Sequence, residues 1–76
     1  MNNKKIYELS SKIKKLEDLN IFLKECDYIE FEAGENNMFT IGTGENEILT
    51  IVLENLVKAN IEKMEELKTI ITKLKE

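Results

Sequence analysis

Apolar residues recur along this chain with two different periods, and the change of period divides it into three elements. From residue 4 to 26, Ile6, Leu9, Ile13 and Leu16 are spaced three and four apart, and Leu19, Phe22, Leu23 and Cys26 continue the stripe. That repeat predicts an amphipathic helix with no Gly or Pro inside it. Residues 28–42 switch to strict alternation. In YIEFEA, Ile29, Phe31 and Ala33 fall on one side and Tyr28, Glu30 and Glu32 on the other. GENN then supplies a turn in which Gly34 or an Asn takes a positive φ. MFTI follows as a second strand, with Phe39 and Ile41 expected inward. The segment therefore predicts a β-hairpin. A lone hairpin is marginal in water, so it needs cover from the helices or from another hairpin across a subunit boundary.

Residues 45–75 return to helical spacing. The first half, EILTIVLENLV, is apolar nearly all round, and a helix of that kind is covered on all sides. The second half narrows to a heptad seam of Leu53, Val57, Asn60, Met64, Leu67, Ile71 and Leu74, spaced 4-3-4-3-4-3. Asn60 in such a seam resembles the polar residue that fixes register in coiled coils; a solvent-facing Asn on an imperfect heptad is the alternative. The second helix outruns the first, so the seam is expected to serve as an oligomer interface. The fold class is α+β and mostly helical: one domain over residues 1–76, helix–β-hairpin–helix, with a long coiled-coil-like C-terminal helix. The two helices are expected to run antiparallel, the hairpin lying at the end where they join.

Size strengthens the expectation of self-association. A chain of 76 residues buries only a small core, and such domains usually add disulfides, a metal or a partner subunit. Cys26 is alone, so no disulfide forms within the chain. There is no His, so a thiolate–imidazole metal site is excluded. A second copy of the chain is the remaining partner.

Charge is polarised along the chain. The net value is −4. Residues 1–24 carry six Lys against Glu8, Glu17 and Asp18; residues 25–57 carry eight acids and no base; residues 58–76 carry five Lys and four Glu. The middle is thus an acidic surface and the first helix a basic one. The lysines are read as a solvated helix face. Arg, which would grip phosphates bidentately, is absent, and the acidic hairpin would repel a polyanion. No direct nucleic-acid contact is expected. The N-terminus has a charged start without an apolar h-region, so it does not read as a signal peptide. The longest apolar stretch is broken by Thr50, Glu54 and Asn55 and falls short of a membrane span. The expected location is the cytoplasm, with no membrane partner.

Candidate chemistry centres on the glycines. Gly42-Thr43-Gly44 follows a strand and opens a helix, the setting of a dinucleotide fingerprint. However, the third small residue is missing and no second strand completes a βαβ unit. No Gly-Lys-Ser/Thr run makes a phosphate loop. Helix capping by Thr43 or Gly44, with Glu45 and Glu47 complementing the helix dipole, accounts for the composition. Free N–H groups at a helix start also bind anions without any motif. Thr43, Gly44 and Asn46 are therefore candidate ligand contacts, with Tyr28 or Phe39 as a stacking face. Catalytic sets fail: Cys26 has no evident base, and Glu62, Glu65 and Glu66 lack the His that a di-iron site requires. No enzyme activity, cofactor or metal is expected.

A chain of about 76 residues rich in Lys, Asn, Ile and Glu, with a basic helix, an acidic hairpin and the helix ILTIVLENLVKANIEKMEELKTIITKLKE, resembles small accessory proteins of phages and prophages of low-GC bacteria. The resemblance is one of layout across the whole chain. It implies a counter-defence role in the cytoplasm of a host cell. Three functions follow as expectations. One is a homo-oligomeric sponge that sequesters a nucleotide-like immune signal. Another is an acidic inhibitor docking on a basic, nucleic-acid-binding surface of a host defence protein. The third is a structural coiled-coil assembly protein.

Overall fold

The computed structural model describes residues 2–42 and 44–76. Its order is α1 (Asn3–Glu25), β1 (Ile29–Glu32), β2 (Met38–Ile41) and α2 (Asn46–Lys75). The helix expected over 4–26 stops one residue early. Cys26 has left the helical region, at φ −79° and ψ 142°, and its thiol donates to the Leu23 carbonyl at 3.6 Å. The helix expected over 45–75 begins at Asn46.

The helices lie antiparallel. The Asn2 side-chain amide donates to the Leu74 carbonyl at 3.2 Å, and that of Asn60 donates to Asn20 Oδ1 at 2.7 Å. Leu9, Ile13, Met64 and Leu67 form the buried cluster between them, flanked by Leu16, Ile71 and Leu74. The side of α1 that meets α2 therefore follows 9-13-16-20-23, a heptad seam with Asn20 inside it. Leu19 and Phe22, expected on the apolar stripe, stand exposed instead. At 100° per residue both fall on the same flank of the seam, about 40° and 100° beyond Leu23.

The hairpin is antiparallel, with Ile29 opposite Ile41, Glu30 opposite Thr40, Phe31 opposite Phe39 and Glu32 opposite Met38. Gly34 and Asn36 both take φ +66°, and the Ala33 N–H donates to the Asn37 carbonyl at 2.8 Å to close the turn. The expected inward pair divides. Ile41 is buried, but Phe39 is 67 % exposed and Phe31 46 % exposed. At the base of the hairpin Ile41 is buried and Ile29 half-buried, whereas its outer half projects.

The molecule measures 50 × 28 × 15 Å. Its radius of gyration is 16.1 Å, whereas a compact chain of this length would give about 11 Å. A thickness of 15 Å is one layer of helices, and a domain core ordinarily lies between two layers.

Candidate functional site

The register of the helix pair decides which surface stays open. Asn2 reaches Leu74, so the helices are nearly flush at the end holding the termini. Asn20 meets Asn60, so Glu25 lies level with about residue 55 of α2. The overhang of the longer helix therefore falls on its first turns, from 46 to about 55. There Ile48 and Ile51 are exposed while Leu49 is buried.

Beside this overhang a groove of about 620 Å³ opens between the end of α1 and α2. Leu23, Thr50, Leu53, Val57 and Ile61 line it, together with Lys24, Glu54, Lys58 and Glu62. The α2 positions recur three and four apart, so one face of α2 makes one wall, and Leu23 and Lys24 of α1 close the other. Its middle is apolar and its charges include two acids and two lysines. Sequence reading named Leu53 and Val57 but assigned them to the heptad seam. The spacing 50-53-54-57-58-61-62 marks the α2 face that lines it, but not that α1 ends there and leaves the face open.

The rest of the seam is used inside the chain. Met64 and Leu67 are buried against Leu9 and Ile13, Ile71 and Leu74 pack on the same cluster, and Asn60 bonds Asn20. Leu53 and Val57 are half-buried and face the groove.

The glycine loop is partly occupied by its own carboxylate. The Gly42 N–H donates to Glu45 Oε2 at 3.2 Å, and the Glu45 N–H donates back to the Gly42 carbonyl at 3.0 Å. Gly42 is small where Tyr28 passes: an added Cβ would sit 3.3 Å from Tyr28 Cβ. Gly44, at φ +102°, has open space around it, and Asn46 is exposed in the first turn of α2. Thr43 lies outside the described residues. Tyr28 and Phe39 are both exposed but do not converge. Alternation puts Tyr28 on the Glu30 side, whereas Phe39 shares the opposite side with Phe31. Phe31, expected inward, is thus the aromatic neighbour of Phe39. The two line a shallow pocket of about 250 Å³ at the hairpin tip with Ala33, Asn36, Asn37 and Met38.

Electrostatics follow the fold. Because the helices are antiparallel, the basic start of α1 lies beside the near-neutral second half of α2, and the acidic residues 25–57 gather at the hairpin end. Lys14 and Asp18 pair at 2.8 Å on the solvent side of α1, and the Asp18 carboxylate raises the Lys14 pKa through that hydrogen bond and its charge. Among the described residues, no group of three or more His, Cys, Asp or Glu is placed to hold a metal, and no helix is long and apolar enough to cross a membrane. No protein-family model, curated protein or solved structure matches this chain.

Proposed function

We propose that the protein is a non-catalytic, homo-oligomeric binding protein that offers its acidic hairpin end to a basic surface of another protein. The observation that carries this reading is the uncovered apolar surface. Seven apolar residues make the buried core of the described chain, while thirteen large hydrophobic residues are exposed, in a layer 15 Å thick. Exposure on that scale supports an interaction surface.

The hairpin supports the choice of target. It presents Glu30 and Glu32 on one side and the Phe31–Phe39 pair on the other, both accessible. An accessible acidic side suits recognition of a basic protein surface, with the charges setting association rate and specificity, and the aromatic side offers a separate apolar contact. In a phage setting, that surface would be the nucleic-acid-binding face of a host defence protein. Sequestration of a nucleotide signal has less support. The Glu45 carboxylate already accepts from the loop N–H of Gly42, and the two stacking candidates stand on opposite sides of the hairpin.

Light scattering at tens of micromolar tests the oligomer, and a monomer there overturns the reading. Mass spectrometry of protein purified from a host carrying the signalling system tests the ligand. A retained nucleotide would replace docking with sequestration. Under the docking reading no nucleotide is retained. A host protein is held instead by the wild type, with steep salt dependence, and is lost on reversing Glu30, Glu32 and Glu35 to Lys.

A further inference from the structure

We propose that the groove beside the α2 overhang is a two-fold interface in which a second copy packs antiparallel, α2 against α2, with its axis close to Val57. The inference rests on the oligomeric reading above and gives it a geometry. Three observations select a second copy as the occupant.

The first is the charge pattern of the groove. Glu54 and Glu62 share it with Lys24 and Lys58, so it is neutral in a chain of net −4. A uniformly basic or uniformly acidic partner would meet like charge at half of these positions. A two-fold axis at about residue 56 of α2 places Glu54 opposite Lys58 of the second copy, and the same pair repeats across the axis. A surface that must complement itself needs both signs arranged in this way.

The second is the polarity of the whole molecule. Residues 25–57 carry eight acids and no base and lie at one end of a particle 50 Å long. Parallel association would stack two such ends. Antiparallel association about residue 56 keeps the two acidic ends apart and sets the first turns of each α2, with Glu47 and Glu54, beside residues 58–66 of the other copy, where Lys58 and Lys63 accompany Glu62, Glu65 and Glu66.

The third is extent. An axis at residue 56 overlaps α2 from 46 to 66, about 31 Å of helix. That stretch includes the half-buried Leu53 and Val57 and the exposed Ile61 of the groove wall. Four helices then replace two, and the single layer acquires the second layer that a core requires. The hairpins emerge at opposite ends of the dimer, clear of the interface.

The test combines charge exchange with cross-linking. Glu54 and Lys58 are exposed, and circular dichroism checks that each variant stays helical. Glu54→Lys and Lys58→Glu are each expected to raise the dimer dissociation constant about tenfold, because symmetry repeats every like-charge contact. The double variant E54K/K58E is expected to return to within about threefold of wild type, which a folding defect would not do. In a Cys26→Ser background, Val57→Cys should form a disulfide-linked dimer on mild oxidation, while Lys68→Cys should not. A wild-type monomer would overturn both the oligomer and this interface. An oligomer that ignores the charge exchange, or that links through Lys68→Cys and not Val57→Cys, would overturn this arrangement and leave self-association standing.

Discussion

The Asn20–Asn60 hydrogen bond should act as a register pin, and its removal has a calculable cost. The two side chains meet at 2.7 Å in the seam between the helices, with Asn20 only 7 % exposed. In Asn60→Ala, the Asn20 carbonyl oxygen loses its donor without reaching water. A buried polar group left in this state costs about 1–3 kcal/mol. For a domain of this size, each kcal/mol lowers Tm by about 4–8 °C, so a loss near 2 kcal/mol corresponds to roughly 8–16 °C. The double replacement Asn20→Leu/Asn60→Leu behaves differently. It removes both polar groups and adds apolar contact beside Leu16, Leu23 and Met64, so stability should return to wild type or exceed it. The assay is thermal and urea denaturation at one fixed protein concentration, since assembly makes Tm concentration-dependent. A shift below about 2 °C in Asn60→Ala would show that the pair is not sealed from water. A double replacement no more stable than the Ala variant would refute the desolvation argument itself.

Three further outcomes follow from burial and backbone geometry. Leu67→Ala, at a position 4 % exposed in the central cluster, should cost about 2–5 kcal/mol, read as a lowered urea midpoint. Phe39→Ser should leave the urea midpoint within about 0.5 kcal/mol of wild type, because an exposed side chain carries little of the core, while weakening capture of a basic partner. Gly34→Ala places a Cβ on a backbone at φ +66°, which costs about 1 kcal/mol, and amide exchange of Phe31 and Phe39 should accelerate.

Elements were legible in the sequence because their periods differ. Alternation over 28–42 and heptad spacing over 53–74 located the hairpin and the second helix to within a residue at each described boundary. Antiparallel packing followed from the short links. Three things were hidden. Asn20 lay in the seam of α1, but a polar residue does not register in an apolar pattern, so Leu19 and Phe22 took its place. The exposure of Phe31 and Phe39 was hidden because alternation tells which side chains share a side and not whether that side is covered. The groove was hidden because it depends on where one helix stops against the other, which no single helix's pattern contains. The candidate ligand loop shows the converse. Gly42, Gly44 and Glu45 were legible as a turn into a helix, but composition did not reveal that the Glu45 carboxylate folds back onto the Gly42 N–H.

Register links these points, because it turns a difference in helix length into a located surface. α1 has 23 residues and α2 has 30, a difference of about 10 Å at 1.5 Å per residue. The overhang could fall at either end of the pair. A slide of one heptad along the seam would carry Leu9 and Ile13 onto other apolar positions at modest loss, because Met64, Leu67, Ile71 and Leu74 repeat every three or four residues. Asn20 would then lose Asn60 and face an apolar side chain. The desolvation cost of that mismatch is about the same 1–3 kcal/mol worked above, and it falls on the slipped state alone. One polar pair thus holds the overhang at the hairpin end, where Ile48 and Ile51 stand exposed beside the acidic surface. In the Asn20→Leu/Asn60→Leu variant this penalty is gone. A chain that melts higher but no longer forms one dimer species is the combination this view requires, since stability and register are then supplied by different residues.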